Sequence, residues 1–160
     1  MAISIAVETP LQDDVRDLVR ELNAYLIPLT PRQFQFQMTV EQMADPKTTV
    51  FVARDEAGRA VGMGALKIES PELAEVKRMF TRPEVRGQRV GKALLEQIES
   101  LARDLGIPHL MLETGNALGF EPAHRLYERY GFVRCGAFLD YPDSGYSAFF
   151  EKWVGPAAAR

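Results

Sequence analysis

One change of period constrains this chain more than any other feature. From Leu73 to Thr81 the sequence reads as a strand, and Pro83 ends the extended run. From Val90 onward Val90, Leu94, Ile98, Leu101, Ala102 and Leu105 recur at helical spacing, with Glu96, Glu99 and Arg103 off that stripe. Gly106 and Pro108 stop the helix. A strand that passes through one turn into a long amphipathic helix implies a sheet with helices packed on its faces.

The other segments fit that frame. Ile3, Ile5 and Val7 alternate as a short strand, and Val15, Leu18, Val19, Leu22 and Leu26 form one helical face between Pro10 and Pro28. The stretch from Leu29 to Pro46 has no single period: Phe34, Phe36 and Met38 alternate, and a short helix is expected around Glu41 to Ala44. Thr48–Arg54 and Ala60–Ile68 are strands joined by the turn Asp55-Glu56-Ala57-Gly58, a hairpin. Ile107–Glu113 is a further strand. Pro122 opens a second helix at its first position, with Ala123, Leu126, Tyr127 and Tyr130 on its packed face and Gly131 as its cap. Phe132–Cys135 and Ser147–Val154 supply the last strands. This order predicts an α+β fold: one mostly antiparallel central sheet of six to seven strands flanked by about four helices. A length of 160 residues suits a single domain spanning 1–160, with 155–160 as a frayed tail.

Several function classes are disfavoured. A net charge of −3 and the lack of a basic stripe argue against nucleic acid as a partner. The scattered His109, His124 and Cys135 have no zinc-type spacing, so no metal is expected, and a lone cysteine allows no intramolecular disulfide. The N-terminus lacks the pattern of a signal peptide and no apolar run is long enough to span a bilayer, so no membrane partner is expected and the cytoplasm is the default location. A two-fold homodimer is the common default for such a chain.

The turn Arg86-Gly87-Gln88-Arg89-Val90-Gly91-Lys92 lies at the start of the strongest helix. The first turn of a helix presents unpaired N–H groups and a partial positive charge, which together attract anions. Gly87 and Gly91 allow close approach of a ligand, and Arg86, Arg89 and Lys92 add charge. The segment is neither a P-loop nor a dinucleotide-binding fingerprint. Taken alone it reads either as a phosphate site or as a helix start with solvated basic residues.

RGQRVG resembles the Q/R-x-x-G-x-G/A turn of the GNAT superfamily of acetyltransferases, with Arg86 at the first position, Gly91 at the last, and Arg89 where the inner glycine stands. AEVKRMFTRPEVRGQRVGKALL is similar to the family's strand, turn and helix, and PAHRLYERYGF to its tyrosine-bearing helix. LETGNALGFEPAHRLYERYGF, followed by DYPDSGYSAFFEK, resembles a bacterial subgroup of uncharacterised acetyltransferases. The likeness runs from about Thr48 to Trp153, with the first forty residues matching only in outline.

The resemblance implies acetyl-CoA as co-substrate, lying in a V-shaped split between the strands ending near Thr81 and Glu113. Backbone groups of Met79, Phe80 and Thr81 would hold the pantetheine arm. The N–H groups from Gln88 through Val90 to Lys92 would hold the pyrophosphate, with His124 near the cofactor phosphates. It also implies that Tyr127 lies beside the cofactor sulfur. Acyl transfer to an amine needs a base, an oxyanion donor and a proton for the leaving thiolate. A phenol, with a pKa of about 10 against about 8.5 for a thiol, suits the last task. Tyr127 is the candidate acid, against a packed-core role, and Glu75 the candidate base, against a solvent-facing strand position. Glu113 is the competing base or a substrate contact, with Thr114 and Phe34 on the acceptor side. The family asparagine before the tyrosine helix is Phe120 here, and Asn116 lies four residues earlier. The expected function is N-acetylation of a primary amine of a small molecule or peptide in a ternary complex. The alternative is a non-catalytic acyl-CoA-binding regulatory module on the same fold.

Overall fold

Three consecutive antiparallel strands, β2 (Thr48–Arg54), β3 (Ala60–Ser70) and β4 (Leu73–Thr81), form the meander at the centre of the molecule. The structure is a computed structural model that describes residues 2–155; apart from Gly155, the expected tail lies outside the described residues. Strand β1 (Ser4–Val7) pairs with β2 at one end. At the other, β5 (His109–Gly115) pairs with β4, and β7 (Ser147–Trp153) lies between β5 and the short β6 (Val133–Cys135). The sheet therefore has seven strands in the order β1-β2-β3-β4-β5-β7-β6, all antiparallel except for β4 beside β5.

Four α-helices cover it among the described residues: α1 (Asp13–Leu26), the one-turn α2 (Val40–Met43), α3 (Val90–Asp104) and α4 (Glu121–Arg129). Helix α2 forms because Thr39 and Gln42 cap it reciprocally, side chain to backbone in both directions. The strand pleat sorts side chains to two faces. Ala74, Val76, Leu110 and Leu112 pack with Leu94, Ile98 and Tyr127 on the α3/α4 side. Val50, Val52, Met63 and Phe80 pack with Val15, Leu18 and Leu22 on the α1 side.

Several details differ from the periodicity; Leu105, expected on the apolar face of α3, is half-exposed and lies just past the helix. Glu121 rather than Pro122 leads α4. Glu99, off the apolar stripe of α3, is nevertheless buried, because Lys152 on β7 reaches it and donates at 2.6 Å. An ion pair lets a polar residue occupy a position that periodicity reserves for solvent.

Candidate functional site

The parallel pairing of β4 and β5 covers only Leu73–Glu75 against His109–Met111. Beyond it the strands separate, and the opening leads into a cavity of about 700 Å³ that reaches both faces of the sheet. Met79, Phe80 and Thr81 line one side of the split, and Glu113, Thr114 and Gly115 the other.

Strand β4 is irregular where it leaves β5. Its register on β3 shifts between Met63↔Phe80 and Ala65↔Lys77, and Arg78 has φ +56°. One extra residue is thus inserted, which is a β-bulge. The bulge reverses the alternation: Val76 and Met79 pack toward α3, while Lys77 meets Tyr141 and Arg78 meets Asn23 of α1. Two successive cations thereby leave the strand away from α3.

On the α3/α4 side the cavity is lined by Arg86, Gly87, Arg89, Val90, Gly91 and Lys92. The N–H of Gln88 is engaged by Val85 O at 3.1 Å, and the α3 ladder opens with Ala93 donating to Arg89 O at 3.0 Å. Val90, Gly91 and Lys92 are therefore the free donors of the first turn. Gly87 has φ +86°, which its lack of a side chain permits. Arg89 adopts the same left-handed region at φ +63° with a full side chain. At Gly91 a Cβ would stand 3.1 Å from Leu126 Cδ2, so the glycine lets α3 approach α4 closely. Tyr127 lies in this wall, buried, edge-on to Phe132 with ring centroids 5.8 Å apart. Burial and then the nearby Glu113 charge hold its phenol well above the ordinary value, so it stays protonated.

The other wall is assembled from distant segments. Tyr25 on α1 donates to Gly119 O across the split. Phe34 stacks on Tyr146 at 4.9 Å, and Phe36 meets Tyr141 edge-on at 5.2 Å. Glu113 faces the cavity and accepts from Ser147 Oγ at 2.6 Å. Burial pushes its carboxyl above the usual range, against the opposing pull of Ser147 and Lys77.

The sequence-derived candidates thus divide. Tyr127, Glu113, Thr114, Phe34, Met79, Phe80, Thr81 and all of Arg86–Lys92 except Gln88 border one cavity. Glu75, Gln88 and His124 are not among its lining residues. Glu75 is only 2% exposed, accepting from Tyr141 Oη at 2.5 Å with Lys77 Nζ at 3.4 Å. Burial raises its carboxyl, with Glu69 adding to the rise and Lys77 opposing it. His124 Nε2 is 2.8 Å from Gly115 O, turned toward the end of β5. Phe120 covers Gly115 so closely that a Cβ there would lie 2.0 Å from its ring, and Asn116 ties its loop to Gly145 O at 3.3 Å. Arg78, Lys77, Tyr141 and Tyr146 belong to the site region without having been singled out by sequence pattern.

A family model described as acetyltransferase (GNAT) domain matches residues 46–134. The chain is 40% identical over 151 residues to an IAA acetyltransferase of Azospirillum brasilense, covering 94% of this chain and 97% of that one. Its fold matches that of a candidate acyl-CoA N-acyltransferase from Klebsiella pneumoniae with a TM-score of 0.80 at 29% identity, over 95% of this chain and 97% of that one. It also matches an aminoglycoside 6′-N-acetyltransferase complexed with coenzyme A, with a TM-score of 0.74 at 16% identity, over 96% and 98% of the two chains.

Proposed function

Since the chain belongs to the acetyltransferase (GNAT) domain family, we propose that it transfers the acetyl group of acetyl-CoA directly to a primary amine of a small molecule or peptide in the cytoplasm. The observation that carries this reading is the single cavity bordered by the free donors of α3, by Tyr127 and by Glu113. The donor thioester and the acceptor amine would enter that cavity from opposite faces of the split sheet.

On the α3/α4 side the N–H groups of Val90, Gly91 and Lys92 receive the pyrophosphate, and Arg86, Arg89 and Lys92 supply matching charge. Met79 to Thr81, unpaired with β5, offer backbone groups to the pantetheine amides in the manner of an added strand. The bulge at Arg78 leaves a backbone N–H of β4 outside the ladder, available to the thioester oxygen as negative charge develops there.

Glu113 is the base. It faces the cavity, and its raised pKa brings it toward the working range of a general base. The neutral nitrogen attacks the acetyl carbon, a C–N bond forms and the C–S bond breaks. The proton lost by nitrogen passes to Glu113, and the sulfur gains one through the hydroxyl of Tyr127, whose burial keeps it protonated until the thiolate forms. Glu75, held by Tyr141 and Lys77, serves as a positioning residue for the Lys77 side chain.

Thermal shift with acetyl-CoA, then thiol release against an amine panel, tests the reading. Saturating acetyl-CoA is expected to raise Tm, because a ligand specific to the native state stabilises it. Absence of a shift overturns the reading. A shift without thiol release from any amine leaves the acyl-CoA-binding module.

A further inference from the structure

Arg78 is a buried cation without a counter-ion among the described residues. It is 9% exposed, borders the cavity, and has one hydrogen-bonding side chain, the Asn23 carbonyl that its Nη2 donates to. Its Nε is buried and has no acceptor. Its neighbour Lys77 already holds Tyr141 and Glu75, and the other buried arginine, Arg82, pairs with Glu21 and donates to Ala60 O at 2.8 Å. Desolvation lowers the Arg78 pKa to about 10, which leaves the guanidinium charged at neutral pH. A buried, unpaired charge is expensive and is normally matched by an anion.

The anion that matches Arg78 is not the pyrophosphate. The bulge turns Arg78 toward α1, whereas the free donors of α3 stand on the opposite face of the sheet. Tyr25, Phe34, Tyr146 and Glu113 line the same cavity as Arg78. A cation, an aromatic wall and a basic carboxylate in one pocket recognise three parts of one molecule.

We infer that the acceptor is an amino carboxylate with an apolar or aromatic body, its carboxylate held by Arg78, its body against Phe34 and Tyr146, and its amine presented to Glu113. The inference rests on the acetyl-transfer reading and narrows it. The guanidinium fork suits a planar carboxylate, and a site built for a charged group rejects the analogue that lacks it, because its own polar group is then stranded.

Calorimetry in the presence of saturating CoA provides the test, with N-acetylphenylalanine and its uncharged amide as probes. The acid is expected to bind at least ~10-fold tighter than the amide, as for one charge-assisted hydrogen bond. Arg78→Gln is expected to reduce that preference to about unity while CoA affinity stays at the wild-type level. Equal binding of acid and amide, binding of neither, or a preference that survives Arg78→Gln each overturns the inference. The wild-type comparison decides the matter even if the variant fails to fold. Failure of CoA itself to bind would instead remove the acetyl-transfer reading, so the two failures are separable.

Discussion

The two walls of the cavity are built in opposite ways. Apart from the α4 residues around Tyr127, the α3 wall is one continuous piece of chain, in which strand end, turn and helix start follow each other from Met79 to Lys92 and leave backbone N–H groups free. The α1 wall draws Tyr25, Phe34, Arg78, Glu113 and Tyr146 from five separate places, and it is made of side chains. A backbone site tolerates substitution provided the turn conformation survives. A side-chain site changes its ligand with each replacement. The first wall therefore suits a constant cofactor, and the second a specific acceptor.

The largest effect should fall on the α1 wall, at its carboxylate. Glu113 and Glu75 lie on neighbouring strands, Glu75 fully buried and Glu113 half-buried, and desolvation raises both carboxyls. Only Glu113 opens to the cavity. Glu113→Gln is expected to lower kcat/KM by ~10²–10⁴, the span of general-base catalysis, and Glu75→Gln by about tenfold or less. Wild-type activity should rise with pH through the Glu113 titration, at a value above the ordinary carboxylate range, and that limb should vanish in Glu113→Gln. Stability should move the other way. A carboxyl with a raised folded pKa contributes stability that is complete below its unfolded pKa and is lost as pH rises through the folded one. Tm of Glu113→Gln relative to wild type should therefore increase across the same pH interval. Equal kinetic losses in the two variants would remove the distinction between the carboxylates.

Tyr127 tests the α4 part of the α3/α4 wall. Its hydroxyl makes no hydrogen bond among the described residues, while its ring packs against Phe132 and Phe150. Tyr127→Phe keeps the ring, so Tm should stay within about 1 °C of wild type, a cost of a few tenths of a kcal/mol. kcat should nevertheless fall about a hundredfold, toward the lower end of acid–base contributions. Unchanged thiol release at an unchanged Tm would assign Tyr127 to the core alone.

The same contrast explains what could be read from the sequence. The α3 wall was legible because its elements are contiguous: the period change at Val90, the glycines and the basic residues all sit in one stretch. The sheet and helices were legible for the same reason, down to the Thr48–Ile68 hairpin. Arg78 was not, because strict alternation would place it on the opposite face from Lys77, and no residue type in KRMF announces the bulge that puts them together. The choice between Glu75 and Glu113 was equally hidden. Both sit in apolar strands, and what separates them is Tyr141, from a loop far along the chain, which engages one carboxylate and leaves the other facing the cavity.

The smallest effect belongs to the α3 wall, at Arg89. This residue sits in the left-handed region at φ +63°, where a side chain costs about 1 kcal/mol relative to glycine. Its side chain is exposed and does not cap the helix that it precedes. Arg89→Gly should therefore raise the Tm of the free protein by ~2–4 °C. It also removes one positive charge from the anion wall, worth up to about 1 kcal/mol at a helix start, so the Kd for acetyl-CoA should rise by a few-fold. Arg89→Ala loses the same charge while keeping most of the strain, and it should weaken acetyl-CoA equally without the gain in Tm. Melting curves and acetyl-CoA titrations of the two variants thus separate conformation from charge. If Arg89→Gly binds acetyl-CoA as tightly as wild type while Arg89→Ala does not, the departure from glycine acts through the backbone. If both lose affinity alike, the arginine supplies a phosphate contact that glycine at this position cannot, and strain at the turn is the cost of that contact.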